Sequence, residues 1–207
     1  MAIQDGLVID CADVQAAGGV RHILIREWQD GDLITTDEAL NRVTRIQDSG
    51  AVDADWGVYE SEIESSSLVI NGVNEGKDNT EYELTLSFFL PNLERTKMIR
   101  LQEMQGKCLM AIVVDVSSIH SSATNFIQNF VLGISDTRGN VYPNAYNRNQ
   151  TYARIASIEG GTGTAFSDKT GVTVTLTCTQ FQLPYTYTEA AGAGITIGTT
   201  GLTATTT

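Results

Sequence analysis

Basic residues are scarce in this chain. Its 207 residues include 13 Lys and Arg against 25 Asp and Glu, which gives a formal net charge of −12 at pH 7. Proteins that bind nucleic acids take most of their affinity from Lys and Arg that neutralise phosphates, so this composition argues against a nucleic-acid-binding domain. The acidic residues are concentrated in residues 1–65, which hold 14 Asp and Glu but only 4 Arg. This acidic first third is expected either to line a lumen or to form a solvated surface.

Residues that usually carry metal or catalytic chemistry are also few. Only two histidines occur, His22 and His120, and neither has a Cys or His at the spacing of a metal site. The three cysteines, Cys11, Cys108 and Cys178, lie far apart and form no CxxC motif. We therefore expect no catalytic residue, no metal site and no cofactor. This cysteine usage fits a reducing, cytosolic compartment best.

Two further motifs match ligand-binding loops only in part. The glycine-rich stretch 160–164 lacks the lysine and serine of a phosphate-binding loop, and a turn between two strands is the favoured interpretation. Asp30-Gly31-Asp32 and Asp53-Ala54-Asp55 each place carboxylates two residues apart, as calcium loops do, but the other oxygen ligands are missing. We predict that the protein is not an enzyme.

Long apolar runs are absent as well. The longest, near Cys108–Val114, is far shorter than the roughly 20 residues that a membrane-spanning helix needs. The N-terminus, Met1–Asp5, has no basic region and no apolar stretch after it, so no signal peptide is predicted. We expect a soluble protein that is made in the cytoplasm and has no membrane partner.

Alternation of apolar and polar residues is the dominant pattern, and it predicts β-strands. It is clearest in Glu81–Leu90, where a period of two holds over ten residues. Asn71-Gly72 predicts a turn, because both residue types tolerate positive φ. Apolar or alternating runs predict further strands in residues 19–28, 59–64, 108–116, 126–134, 152–158 and 172–178.

One convincing helix is predicted, over Leu93–Gln105. Asn92 is expected to cap its start and Gly106 to end it. Residues 29–57 have weak periodicity and many acids, which predicts a long loop with a short helix near Thr36–Val43. Residues 190–207 carry no charge and are nearly all Ala, Gly, Thr and Ile. They are expected either to stay flexible or to add to the sheet edge of a neighbouring molecule.

These elements predict a mostly-β fold, namely a β-sandwich or barrel of about eight strands with one flanking α-helix. Residues 1–189 are expected to form a single β-sandwich domain with a long acidic loop near 29–57. Residues 190–207 are expected to form a flexible Gly/Thr-rich C-terminal arm.

The second half of the chain resembles virion structural proteins of tailed bacteriophages, most closely tail-tube (major tail) proteins. The resemblance covers residues 58–180. It consists of the alternating strand 81–90, the helix 93–105, the apolar strand 108–116, the run Phe130-Val131-Leu132-Gly133 and the Gly/Thr-rich run 161–176. Thr170-Gly171 stands where this pattern has Asn-Gly.

The resemblance implies a protein that forms rings, usually hexamers, which stack into a tube. The inner sheets join into a channel for DNA, and loops and terminal arms bridge the rings. The partners would be copies of the chain and neighbouring tail or neck proteins. DNA would only pass through the lumen, and the protein would be located in the virion tail. An acidic lumen would let DNA slide rather than bind.

Two other functions are consistent with the sequence. One is a different virion part, such as a neck or tail-terminator ring or a capsid decoration protein. The other is a carbohydrate-binding adhesive β-sandwich module, because seven Tyr and two Trp could stack on sugars. Trp28 and Trp56 do not fall in one motif, however, and single aromatic residues are more often part of a core.

Overall fold

A computed structural model of the chain describes thirteen strands and one helix. The described residues are 19–29, 32–37, 42–47, 56–61, 65–74, 80–92, 94–115, 129–134, 152–162, 170–180, 183–187, 197–198 and 201–202. The strands are β1 Val20–Glu27, β2 Leu33–Asp37, β3 Arg42–Gln47, β4 Gly57–Glu60, β5 Ser67–Asn74, β6 Thr80–Pro91, β7 Leu109–Asp115, β8 Asn129–Leu132, β9 Arg154–Gly161, β10 Gly171–Gln180, β11 Tyr185–Tyr187, β12 Ile197–Gly198 and β13 Gly201–Leu202; the helix α1 is Arg95–Met104.

The smaller of the two main sheets has four strands in the order β5-β6-β10-β9, and every neighbouring pair is antiparallel. Its central strands alternate with a period of two, so one face is apolar and the other is polar. Leu84, Leu86 and Phe88 of β6 are fully buried, and Leu86 lies opposite Leu176 of β10. This apolar face forms one side of the main core.

The larger sheet has seven strands in the order β2-β3-β11-β8-β7-β1-β4. Its strand β7 is buried on both faces, which explains why its sequence is apolar without alternation. Leu109, Ala111 and Val113 face the small sheet and complete the main core. Met110 and Ile112 belong to a second core, which also contains Val43 and Tyr185.

The described residues of the second core all lie on strands of the large sheet or next to them. Val43 lies on β3, Tyr185 on β11 and Ile112 on β7, and the three belong to one cluster of buried residues. No described strand joins β2 to β4, so the sheet does not close into a barrel. The fold is mostly β with one helix in the described part, as predicted.

The helix begins two residues later than predicted. Its N-cap is Glu94, which makes no capping hydrogen bond with its side chain. Asn92 instead adopts a left-handed conformation with φ of 63°, and its N–H donates to the carbonyl of Thr170 at 3.0 Å. Gly106 follows the helix with φ of 75°, as expected for a C-terminal stop. With ten residues, α1 is too short and too polar to cross a membrane, and the described part contains no other helix.

The prediction of a long loop over residues 29–57 was wrong in part. The strands β2 and β3 pair there, with Ile34 opposite Ile46. The short helix predicted near Thr36–Val43 was wrong for its described residues, which form the end of β2 and the start of β3. Residues 38–41 lie outside the described part. A shift of register between Thr35 and Thr36 explains the missed strands, because a bulge interrupts the period of two.

The turn predicted at Asn71-Gly72 was also wrong. Both residues lie inside β5, where Asn71 is opposite Glu83 and Gly72 is opposite Tyr82. A Cβ atom on Gly72 would lie 3.5 Å from the Tyr82 ring. These residue types permit a turn but do not require one, and here continuous pairing with β6 decides the conformation.

Candidate functional site

Strand β5 is an edge of the small sheet that the described structure leaves open. All eight of its residues pair with β6 without a shift of register, and no other described strand pairs with its outer side. The sequence of β5 contains no charge and no proline. The side chains of Val69 and Ile70 are 45% and 37% exposed.

Natural proteins usually protect such an edge. They use lysine, proline, a bulge or a covering segment to stop other strands from adding to it. β5 shows none of the first three, and it is long enough to form a full strand pair. This edge is therefore suited to binding another β-strand.

The opposite edge of the small sheet is β9. It pairs with β10 on one side only, with a bulge where Thr175 and Leu176 face Ser157 and Ile155. Two glycines of the predicted glycine-rich turn, Gly160 and Gly161, form the end of β9, and residues 163–169 lie outside the described part. A Cβ on Gly160 would lie 2.6 Å from the Gly171 carbonyl, so glycine is needed for this close strand approach.

The outward face of the small sheet is polar. Strand β10 contributes a row of four threonines, of which Thr177 is exposed and the others half-buried. The facing residues of β6 include Ser87, Thr85 and Glu83, and Glu159 lies on β9 beside Thr173. Hydroxyl groups therefore dominate this face. Its charged residues in β6 and β9 are Glu81, Glu83, Glu159 and Arg154, a net charge of −2.

A groove of about 680 Å³ lies between β4, the end of β6 and α1. Its cations are already engaged: Lys97 donates to the Pro91 carbonyl at 2.9 Å, and Arg100 pairs with Glu103 at 3.1 Å. The Tyr59 hydroxyl donates to Met104 Sδ at 3.5 Å. Burial raises the pKa of Tyr59, while Arg100 lowers it and Glu103 raises it. Tyr59 is therefore not poised as an acid or base near neutral pH.

Of the cysteines and histidines that the sequence singled out, the structure describes Cys108, Cys178 and His22, which lie on or beside three different strands. Cys178 is buried in the main core, and burial raises its thiol pKa to about 12, partly opposed by a hydrogen bond from the Gly133 backbone. Cys108 is half-buried next to β7. His22 lies in β1, with Nε2 4.0 Å from a carboxylate oxygen of Glu60. Cys11 and His120 lie outside the described part, in which no three His, Cys, Asp or Glu form a metal-binding group.

Asp32, from the first acidic pair, has a structural role. Its carboxylate accepts hydrogen bonds from Arg26 Nη2 and from the Gln29 N–H, both at 2.9 Å. Asp30, Gly31 and Asp53-Ala54-Asp55 lie outside the described part. Trp28 and Trp56 both pack against the second core, so neither stands alone on the surface.

No family model, no curated protein and no solved structure matches this chain. The two open edges of the small sheet and its polar outer face are therefore the features that bear on function. Sequence reasoning did not identify these edges. The edge position of β5 depends on the strand order, which the local pattern does not contain.

Proposed function

We propose that this chain is a structural protein of a bacteriophage virion, which self-assembles into stacked rings that form the tail tube. The observation that carries the proposal is the small sheet, which ends in open strands, β5 and β9, on its two opposite sides. A surface with two different complementary edges supports head-to-tail contact, and such contacts close into rings when the rotation between copies allows it.

The strand directions of the small sheet favour this contact. Its four strands alternate in direction, so β5 and β9 run in opposite directions. When copies are related by rotation about an axis along the strands, β9 of one copy therefore meets β5 of the next in antiparallel orientation. Each new pair would continue the hydrogen-bonding pattern of the sheet and remove both open edges.

Ring closure also defines an approximate channel size. Six copies with four strands each would place 24 strands around the ring. At about 4.8 Å between strands the circumference is about 115 Å and the backbone diameter about 37 Å, before strand tilt widens it. Six is the number that the resemblance to tail-tube proteins implies.

The channel would be lined by the polar face of the small sheet. Its threonine and serine rows have no cationic cluster that would hold phosphates, and its net charge of −2 in β6 and β9 would repel them. This repulsion acts only within a Debye length of about 8–10 Å, so DNA would slide without sticking. The lining would then belong to the four strands of the small sheet rather than to the acidic first third.

A charge placed on the β5 edge tests the proposal. In Val69→Lys with Ile70→Lys, two exposed apolar side chains become cationic and oppose strand addition. We expect the unmodified protein to form rings by size-exclusion chromatography with light scattering, and this variant to remain monomeric. The matched control is Met98→Lys with Ile99→Lys on α1, whose side chains are both 44% exposed. Rings in the β5 variant, or loss of rings in the control, would contradict the proposal.

A neck or tail-terminator ring could use the same two edges. Such a protein forms one ring per particle, whereas a tube protein stacks many rings. The copy number in the particle, measured by quantitative mass spectrometry, separates these functions: a high copy number supports the tube, and a single ring supports the neck.

A further inference from the structure

The C-terminal part of the described chain lies close to β4, the outer strand of the large sheet. β4 is the last strand of the large sheet and pairs on one side with β1. The C-terminal strands β12 and β13 form a hairpin, with Ile197 opposite Leu202 and Gly198 opposite Gly201. Among the described strands of the small and the large sheet, β4 is the main neighbour of β13.

The chain is long enough to place the hairpin there. Strand β11 ends at Tyr187, and ten residue steps lead to Ile197. A fully extended chain of that length spans about 33 Å. Strand β11 is four strand positions from β4, which corresponds to about 19 Å. The connection can therefore reach its own β4 with slack, and the tether keeps the hairpin at an effective concentration of about 1 mM.

The uncovered β4 edge would be open to strand addition. Three of its four residues, Gly57, Val58 and Tyr59, are uncharged, and the strand contains no proline. The far edge of the same sheet, β2, is protected differently. It has a bulge between Thr35 and Thr36, whereas β4 pairs with β1 without a shift of register.

We infer that the C-terminal hairpin is an intramolecular cover for the β4 edge. With β2 blunted and β4 covered, β5 is the long described edge without a bulge, charge or proline, and β9, which has a bulge of its own, is the edge that would meet it. This consequence for assembly rests on the proposed function. The covering contact itself does not, because it exists within one chain.

Cross-linking in the intact chain tests the contact. Cysteines placed by Glu60→Cys on β4 and Leu202→Cys on β13, in a background of Cys11→Ser and Cys108→Ser, would be joined by a short bismaleimide. We expect a fast intramolecular product at low protein concentration. The control pairs Leu202→Cys with Glu83→Cys on the outward face of the small sheet, and it should react at least about tenfold more slowly. Equal rates for the two pairs would overturn the inference.

A peptide of residues 190–207 tests whether the hairpin occupies the β4 edge in the wild-type chain. The full-length variant Ile197→Pro with Leu202→Pro removes two strand N–H groups from the hairpin. We take an intrinsic Kd of about 100 μM for the hairpin on the β4 edge and an effective hairpin concentration of about 1 mM. The covered form of the wild-type chain then outnumbers the uncovered form by about ten to one. The peptide should therefore bind this variant about tenfold more tightly than the wild-type chain. Equal affinity for both would overturn the inference.

Electron microscopy separates this inference from the proposed function. If the cover directs assembly, the wild-type chain forms regular rings and the proline variant forms irregular aggregates. Identical rings from both chains would overturn the role in assembly. If the wild-type chain forms no rings, the proposed function fails, while the cross-linking and peptide results still decide whether the hairpin covers β4.

Discussion

The buried ion pair between Arg26 and Asp32 gives the sharpest prediction about stability. The Arg26 side chain is 6% exposed and the Asp32 side chain is fully buried, with Nη2 and Oδ1 2.9 Å apart. Asp32 also accepts the Gln29 N–H, so it joins the end of β1 to the start of β2. The variant Asp32→Ala leaves a buried guanidinium without its carboxylate partner.

The cost of this substitution follows from the burial. Breaking a buried pair by removing one partner costs about 3–5 kcal/mol, because the remaining charge stays desolvated. For a domain of this size each kcal/mol lowers Tm by about 2–4 °C, so Asp32→Ala should lower Tm by about 6–20 °C. Differential scanning calorimetry and urea unfolding would both measure the effect.

A second ion pair nearby provides the control. Arg42 and Asp37 have a similar separation of 3.0 Å, but their side chains are 35% and 31% exposed. Asp37→Ala should therefore cost about 1 kcal/mol or less. The double variant Arg26→Met with Asp32→Leu, which removes both buried charges, should lie within about 1 kcal/mol of wild type. A loss for Asp32→Ala no larger than that for Asp37→Ala would refute the reasoning.

Three further predictions concern glycine and cysteine positions. Gly133→Ala should lower the free energy of unfolding, measured with urea, by about 3 kcal/mol, because φ is +80° and the new Cβ would lie 2.5 Å from the Leu109 carbonyl. Gly106→Ala is the control: φ is +75° but no atom lies within 4 Å of the new Cβ, so the loss should be only about 1–2 kcal/mol. Because burial raises the pKa of Cys178 to about 12, the neutral thiol stabilises the folded state fully below about pH 9, and this stabilisation is lost as the pH rises toward 12. In Cys178→Ala, the free energy of unfolding should therefore fall less steeply between about pH 9 and pH 12 than in the wild-type chain. Cys108, which is half-buried, should be alkylated by iodoacetamide at pH 8 well before Cys178, as peptide mass mapping would show.

The parts of the fold that the sequence predicted well are those with an uninterrupted local pattern. Glu81–Leu90 alternates over ten residues and lies within β6, and the apolar run after Cys108 forms β7. The helix was predicted because Gly106 supplies a clear end. Its start was misplaced because Asn92 closes a turn to Thr170, a contact that is distant in sequence.

The missed elements depend on long-range pairing. Strand β11 has three residues and pairs in parallel with β3 and antiparallel with β8, which no local period of two can indicate. The candidate site was missed for the same reason. The sequence 67–74 predicts neither that β5 is an edge nor that Val69 is exposed on it, because both follow from the strand order.

Electron microscopy of the unmodified purified protein tests the central claim most directly. Over a range of protein and salt concentrations, the tail-tube proposal predicts hollow rings that stack into tubes, with β9 of one copy next to β5 of the next. For a hexamer, the channel wall should measure about 37 Å across or somewhat more at the backbone. A chain that stays monomeric under all these conditions, or that assembles with the β5 edge facing solvent, would contradict the account.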